Sequence, residues 1–302
     1  MNKLRAWLNA ARLRTLPLSV SGILVGTALA NLEHIENSQL LLLSLLTTIA
    51  FQITSNFAND YGDGVKGTDS SDRIGPKRAL QSGILTKSEL FKGIVIACLI
   101  SLGLTIFLVY KAFGLERLPY ILVFLILGLF SIWAAIKYTM GKSPYGYQGL
   151  GDVFVFLFFG IVAVLGSKFL YTYALNFWDS LLAVGIGLLC VGVLNLNNLR
   201  DVVSDKNHNK NTLVVKMGFH WGKKYHYSLL IVAFLCFLSY TILVFKNWVG
   251  VIYMVMFLPV IAHFLTVVKT KSPERLDPEL KKLALSTFAI ALCFYLTINY
   301  FL

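Results

Sequence analysis

Apolar residues run in nine blocks along the chain, at 15–32, 39–59, 90–110, 119–137, 152–173, 179–199, 225–245, 248–268 and 283–302. Each approaches the ~20 residues an α-helix needs to cross the hydrocarbon core of a bilayer. A membrane β-barrel would show ~10-residue segments of strict alternation instead. The pattern therefore predicts an all-α fold, a polytopic membrane bundle of nine transmembrane helices.

Polar residues interrupt this pattern at two stations built on one plan. The block 39–59 ends in Gln52, Thr54, Ser55, Asn56 and Asn59 and runs on into Asp60, Asp63 and Asp69. The block 179–199 ends in Asn195, Asn197 and Asn198 and runs on into Arg200, Asp201 and Asp205. If each helix continues, Asn56, Asn59/Asp60 and Asp63 share one face, and so do Asp201 and Asp205. Such faces are too costly to turn toward lipid and must point into the bundle. Their oxygens suit Mg2+, which is commonly held by one or two carboxylates together with substrate phosphates. Cations accompany each station: Lys66, Arg73, Lys77 and Arg78 at the first, Arg200, Lys206 and Lys210 at the second. Those suit the phosphates themselves. Two stations facing each other would hold a diphosphate bridged by more than one Mg2+. The glycine-rich stretch 60–88 is expected to be a long loop close to the ligand.

Composition agrees with the membrane reading. Of 302 residues, 57% are hydrophobic and 14% charged, against about 25% charged in soluble domains. With the N-terminus cytoplasmic, all of the 27 Lys and Arg except Lys111, Arg117, Lys168 and Lys246 fall on the inner side. That asymmetry favours N-terminus in and C-terminus out. The net charge of +12 then reports topology and attraction to anionic lipid, not nucleic-acid binding. Arg12 and Arg14 precede an uncleaved first helix, as membrane anchors or as anion contacts at the cytoplasmic mouth. Cys98, Cys190, Cys236 and Cys293 all lie in apolar blocks without a C-x-x-C pair, so they read as core residues.

The remaining segments carry less chemistry. Blocks 90–110 and 119–137 read as bundle filler, and Lys269 to Lys282 as a solvated loop. His263 reads as a core histidine. His208, His220 and His226 lie in or beside the second polar loop without zinc-type spacing. Between blocks four and five, Lys137-Tyr138-Thr139 leads into Ser143-Pro144-Tyr145-Gly146-Tyr147-Gln148-Gly149-Leu150-Gly151-Asp152. Its glycines and proline indicate a shaped loop, although a tyrosine there can equally be an ordinary interfacial residue. Phe154, Phe156, Phe158 and Phe159 follow, and aromatic faces stabilise cations.

The motifs together resemble those of the UbiA-type intramembrane prenyltransferases. Asn59-Asp60-Tyr61-Gly62-Asp63 is similar to that family's first aspartate motif, and Arg78-Ala79-Leu80-Gln81-Ser82-Gly83 to the element that closes its loop. Asp201-x-x-x-Asp205 with Lys210 and Thr212 is similar to its second motif, and Lys137-Tyr138-Thr139 to its tract after helix four. The resemblance covers the whole chain and implies one UbiA-like prenyltransferase domain over 1–302. Arg14-Thr15-Leu16-Pro17, Asn59 to Asp69, Arg73-x-Gly75-Pro76 and the Tyr145–Asp152 tract look most like the branch acting on 1,4-dihydroxy-2-naphthoate in menaquinone biosynthesis. In that tract Gln148 stands where the branch usually has arginine.

This resemblance implies a Mg2+-dependent transferase of the multi-pass bacterial inner (cytoplasmic) membrane, its active site toward the cytoplasm. Its substrates would be a polyprenyl diphosphate and an aromatic acid, and its products demethylmenaquinol, CO2 and diphosphate. It implies metal ligation by Asn56, Asn59, Asp60, Asp63, Asp69, Asp201 and Asp205. Substrate contacts would come from Lys66, Arg73, Arg78, Arg200, Lys210 and Tyr145. Catalytic roles would fall to Asp63, Asp201, Lys137 and Tyr138. Alternatives are another aromatic acceptor such as 4-hydroxybenzoate, or a cation-coupled transporter. Carboxylates clustered at one membrane face, not at the midplane, weigh against the transporter. Asp60-Tyr61-Gly62-Asp63-Gly64 also matches the start of the CDP-alcohol phosphatidyltransferase motif, but Lys66-Gly67 does not continue it.

Overall fold

The structure is a computed structural model that describes residues 2–67, 78–245 and 248–301. Asp69, Arg73 and Lys77 lie outside the described residues. Every regular element among those described is helical. We label them α1 (Lys3–Ala11), α2 (Leu16–Asn31), α3 (Ser38–Lys66), α4 (Lys87–Phe113), α5 (Leu118–Lys137), α6 (Gly151–Thr172), α7 (Asp179–Arg200), α8 (Val202–Asn207), α9 (Leu213–Met217), α10 (Phe219–Val244), α11 (Trp248–Lys269) and α12 (Pro273–Phe301). With α1 and α2 counted as one, nine spans among the described residues are long and apolar enough to cross a membrane.

Local chemistry explains where these helices start and stop. The Asn37 side chain accepts the Gln39 and Leu40 N–H groups and opens α3. Thr86 and Glu89 form a reciprocal capping box at the start of α4, satisfying two N–H donors that have no helical partner. Pro17 stands in the first turn of α2, where a missing N–H costs nothing. Three boundaries differ from the expected ones, each for the same reason: polar turns extend a helix beyond its apolar block. α3 runs on to Lys66, so the stretch from residue 60 is not a loop throughout. α10 begins at Phe219, which puts His220 and His226 inside a helix. α12 takes up most of the supposed solvated loop between Lys269 and Lys282.

The bundle is centred on α7. Of its most apolar stretch 67% is buried in protein, against 11% for α5, which sits at the lipid-facing edge. The largest core joins α2, α6, α7, α10, α11 and α12 through residues such as Leu29, Ile186, Phe237, Tyr253 and Phe294. A second core packs α1 on α3 and α4, with Trp7 edge-on to Phe57 at 5.2 Å between ring centres.

Two buried polar clamps tie helices together. At the end away from the stations, Lys168 donates to Glu33 at 2.5 Å and to Asp179 at 2.6 Å, joining the ends of α2, α6 and α7. In the other half, the ring nitrogens of His226 and His263 meet at 2.9 Å, and His263 meets Glu279 at 2.7 Å. His263 is therefore a core histidine linking α10, α11 and α12. All four cysteines are unpaired.

Candidate active site

The first station occupies the last turns of α3. There Gly62 lies so close to Thr139 that a Cβ would collide with it, and this contact fixes the residues that follow α5. Thr139 Oγ1 donates to Ala58 O at 3.0 Å and reaches Asn59 Oδ1 at 3.4 Å. Asp63 Oδ1 accepts the Tyr147 hydroxyl at 2.9 Å.

Asp60 and Asn56, on the same helix, also line the cavity but are held by other partners. The Asp60 carboxylate is buried and accepts Arg12 at 2.5 Å and Arg78 at 2.7 Å. Asn56 donates to Ala11 O at 2.8 Å and accepts from Gln52 at 3.2 Å. Both residues hold the hinge between α1 and α2, where Arg12 adopts a left-handed φ of 50°.

The second station is the last turn of α7 with α8. Arg200 grips Asp201 through two nitrogens, at 2.7 and 2.6 Å, and reaches Asp277 and Asn197 at 2.7 Å each. Asp205 pairs with Lys210 at 3.5 Å. Its other oxygen, Oδ2, is buried without a hydrogen-bond partner, an atom positioned for a ligand the protein itself does not supply. Burial pushes the Asp205 carboxyl up to about 6, against the opposing pull of Lys210 and with Asp201 and Asp63 adding to the rise. Burial also pushes Lys210 down, but Asp205 and Asp63 outweigh it and hold the ammonium well above its ordinary value. The two stations thus meet at Lys210.

Both open on a cavity of about 1250 Å³. Asn59, Asp60, Asp63, Arg78, Arg200 and Lys210 line its polar end. One wall is aromatic: Tyr145 stacks on Phe154 at 3.9 Å and stands edge-on to Tyr138 at 5.4 Å, with Phe158 beyond. Burial raises the Tyr138 hydroxyl to about 12, countered in part by Lys210, and raises that of Tyr145 as well. The Tyr145 hydroxyl donates to Ala134 O at 2.8 Å. Deeper in, Thr105, Leu108, Val109, Phe124, Leu127 and Gly128 form the wall. Helices α4 and α5 are therefore not filler.

Several expected site residues stand elsewhere. Lys137 is exposed and is not among the cavity-lining residues. Lys66 is exposed and lies over the Tyr147 ring at 4.4 Å. Asp201 and Asp205 stand behind Arg200 and Lys210, which line the cavity in front of them. Conversely, Asp277, Lys281 and Lys282 line the cavity and were missed. Their only signal was an Asp-Pro pair just ahead of an apolar block.

A sequence model of the UbiA prenyltransferase family matches residues 19–296. The chain belongs to that family. It is 40% identical to the 1,4-dihydroxy-2-naphthoate octaprenyltransferase of Haemophilus influenzae over 297 residues, 97% of this chain and 96% of that protein. It is 45% identical to the enzyme of the same name from Escherichia coli over 240 residues, 78% of this chain and 76% of that protein. Among solved structures, the bundle is similar to a UbiA homologue from Archaeoglobus fulgidus bound to DMAPP and Mg2+. The TM-score is 0.67 at 14% identity, covering 96% of this chain and 99% of that one. The apo UbiA homologue from Aeropyrum pernix gives a TM-score of 0.70 at 13% identity, covering 93% and 97%. The UbiA fold is thus shared.

Among the described residues, no three carboxylate, thiol or imidazole groups come together as a metal site on their own. A UbiA site of this kind would be completed by phosphate oxygens, as Mg2+ commonly is. The oxygens of Asn59 and Asp63 and the orphaned Asp205 Oδ2 fit that chemistry.

Proposed function

We propose that this UbiA-family chain transfers a polyprenyl group from polyprenyl diphosphate to 1,4-dihydroxy-2-naphthoate, releasing diphosphate and CO2 and giving demethylmenaquinol. The observation that carries the reading is the convergence of Asp63 and Asp205 on Lys210, which with Asp63 lines the polar end of a partly aromatic cavity. The printed names of the relatives from H. influenzae and E. coli support the acceptor.

Asn59, Asp63, Asp201 and Asp205 would hold Mg2+. Bound there, Mg2+ neutralises the diphosphate and stabilises the charge that grows on it as it leaves. Arg12, Arg78, Arg200 and Lys210 bind the phosphate oxygens and favour the same charge. Asp60 holds Arg12 and Arg78 in place and is not a metal ligand in this reading, and Asn56 braces the hinge. Asp69 would add a ligand and Arg73 a cation. The C–O bond to diphosphate breaks with its electron pair going to the leaving group. Tyr138, Tyr145, Phe154 and Phe158 face the allylic cation with π-electron density and keep water from it. The naphthoate ring takes up the prenyl carbon, and its carboxylate leaves as CO2.

The prenyl tail leaves between the α1–α2 hinge and the first half of α12. There Leu8, Leu13 and Leu285 both line the cavity and are 45%, 49% and 42% exposed. The distribution of Lys and Arg supports a cytoplasmic N-terminus, with the site facing the cytoplasm across a bacterial inner membrane.

The test is turnover by purified protein in detergent with Mg2+ and labelled prenyl diphosphate. 1,4-Dihydroxy-2-naphthoate and 4-hydroxybenzoate are offered separately. Prenylated product with CO2 from the naphthoate alone is expected. Product from 4-hydroxybenzoate alone, without CO2, would overturn the acceptor and leave the diphosphate site standing.

A further inference from the structure

Tyr147 lies behind the cavity and touches both stations. It sits in a tight helical turn, Tyr145–Gln148. Gly149 ends that turn at a φ of 84°, a left-handed conformation that suits glycine. Tyr145 faces the cavity, whereas Tyr147 is directed at the first station. Its hydroxyl donates to Asp63 Oδ1 at 2.9 Å. Its carbonyl accepts the Asn211 N–H at 3.0 Å, one residue beyond Lys210. Next to it, the Gln148 carbonyl accepts Lys216 Nζ at 2.6 Å. Lys66 and Lys210 lie 4.4 and 5.8 Å from the centre of its ring, where a cation is attracted to the aromatic face. One residue thus connects the last turn of α3, the loop after α5 and the loop after α8.

We infer that Tyr147 is a positioning residue that fixes the Asp63 carboxylate for metal binding and sets its distance from the Lys210 loop. The inference rests on the metal–diphosphate reading above. A carboxylate has two oxygens and a free torsion, so a ligand-bearing carboxylate gains from a donor that holds one oxygen and leaves the other for the ion. Such outer partners are worth about 10–100-fold in metal affinity. Phenylalanine would keep the ring, its packing and its two lysines, and would lose only the donor.

The experiment uses the full chain in detergent and Mn2+ as a paramagnetic stand-in for Mg2+, titrated in the presence of inorganic diphosphate. Free Mn2+ is read by its resonance signal. Tyr147→Phe is expected to raise the Mn2+ dissociation constant about tenfold and to leave the melting temperature of the metal-free protein unchanged. Tyr147→Leu is expected to weaken diphosphate binding as well, because Lys210 loses the aromatic face that lies 5.8 Å from its ammonium. In turnover, Tyr147→Phe raises the Mg2+ concentration for half-maximal rate and largely restores kcat at saturating Mg2+. A Phe variant that binds Mn2+ as the parent does would overturn the inference. So would a lowered melting temperature with Mn2+ affinity unchanged, since that describes a structural residue only. If the parent itself binds no Mn2+ with diphosphate, the metal–diphosphate reading fails first, and the two failures are told apart.

Discussion

Asp60 and Asp63 are less than one helical turn apart, yet their surroundings divide their work. Asp60 is buried under Arg12 and Arg78, and Asp63 turns toward Tyr147 and the second station. Asp60→Asn should therefore loosen both arginines, raising the KM for prenyl diphosphate and lowering kcat together, measured by steady-state kinetics in detergent. Asp205→Asn removes a metal ligand and should cut kcat by more than the roughly 10–100-fold that loss of an outer partner costs. Lys137→Ala should stay within about 0.5 kcal/mol of parent, as exposed positions usually do. The raised carboxyl of Asp205 adds a pH dependence. Metal must displace its proton, so the Mg2+ concentration for half-maximal activity should climb as pH falls through about 6, and the climb should vanish in Asp205→Asn. In the metal-free protein the sign is opposite: a carboxyl raised on folding stabilises most below its unfolded value and loses that contribution as pH rises through about 6. At this scale the stations were legible in residue type and spacing. The partners of the first station's carboxylates were not, because Arg12 and Tyr147 arrive from distant segments with no local signal, and neither was Asp277, which reaches Arg200 from 77 residues away.

At the scale of elements, the membrane spans were readable because the bilayer fixes their length. Their ends were less so. The final turns of α3 are polar, and they stay helical because side chains such as Thr139 and Arg78 receive them inside the bundle. An apolar face on a cavity also looks the same in sequence as one on lipid, which is why α4 and α5 were misjudged. The middle of α6, Phe156–Gly166, is a π-helix, a rare winding often found at functional sites, and it carries Phe158, Phe159, Val162 and Ala163 into the cavity wall. No periodicity in the sequence announced it. The Lys168 clamp yields a stability prediction at this scale. Removing one partner of a buried ion pair typically costs about 3–5 kcal/mol, whereas replacing the whole pair with apolar groups can be neutral. Asp179→Leu should thus lower the unfolding midpoint in a denaturing detergent titration. Adding Lys168→Met should recover much of it, with Glu33 at the exposed rim free to meet water.

For the whole molecule, the question is how a water-seeking diphosphate and a lipid-seeking tail occupy one site. The bundle answers with a cavity that is charged at one end and apolar beyond, with the exposed Leu8, Leu13 and Leu285 in its lining, where the tail is proposed to leave. Leu285→Trp should narrow that exit. It should lower kcat/KM for long prenyl diphosphates and spare a short donor that fits inside, read as the ratio between the two. An unchanged ratio would mean that the tail leaves elsewhere. The central claim is that stations far apart in sequence act as one metal–diphosphate site. The most direct test is anomalous diffraction from crystals grown with Mn2+ and an unreactive prenyl thiodiphosphate. The account predicts Mn2+ peaks between Asp63 and Asp205, with the thiodiphosphate against Arg78, Arg200 and Lys210. Peaks on Asp60 or Asn56, or a thiodiphosphate bound without metal between the stations, would contradict it.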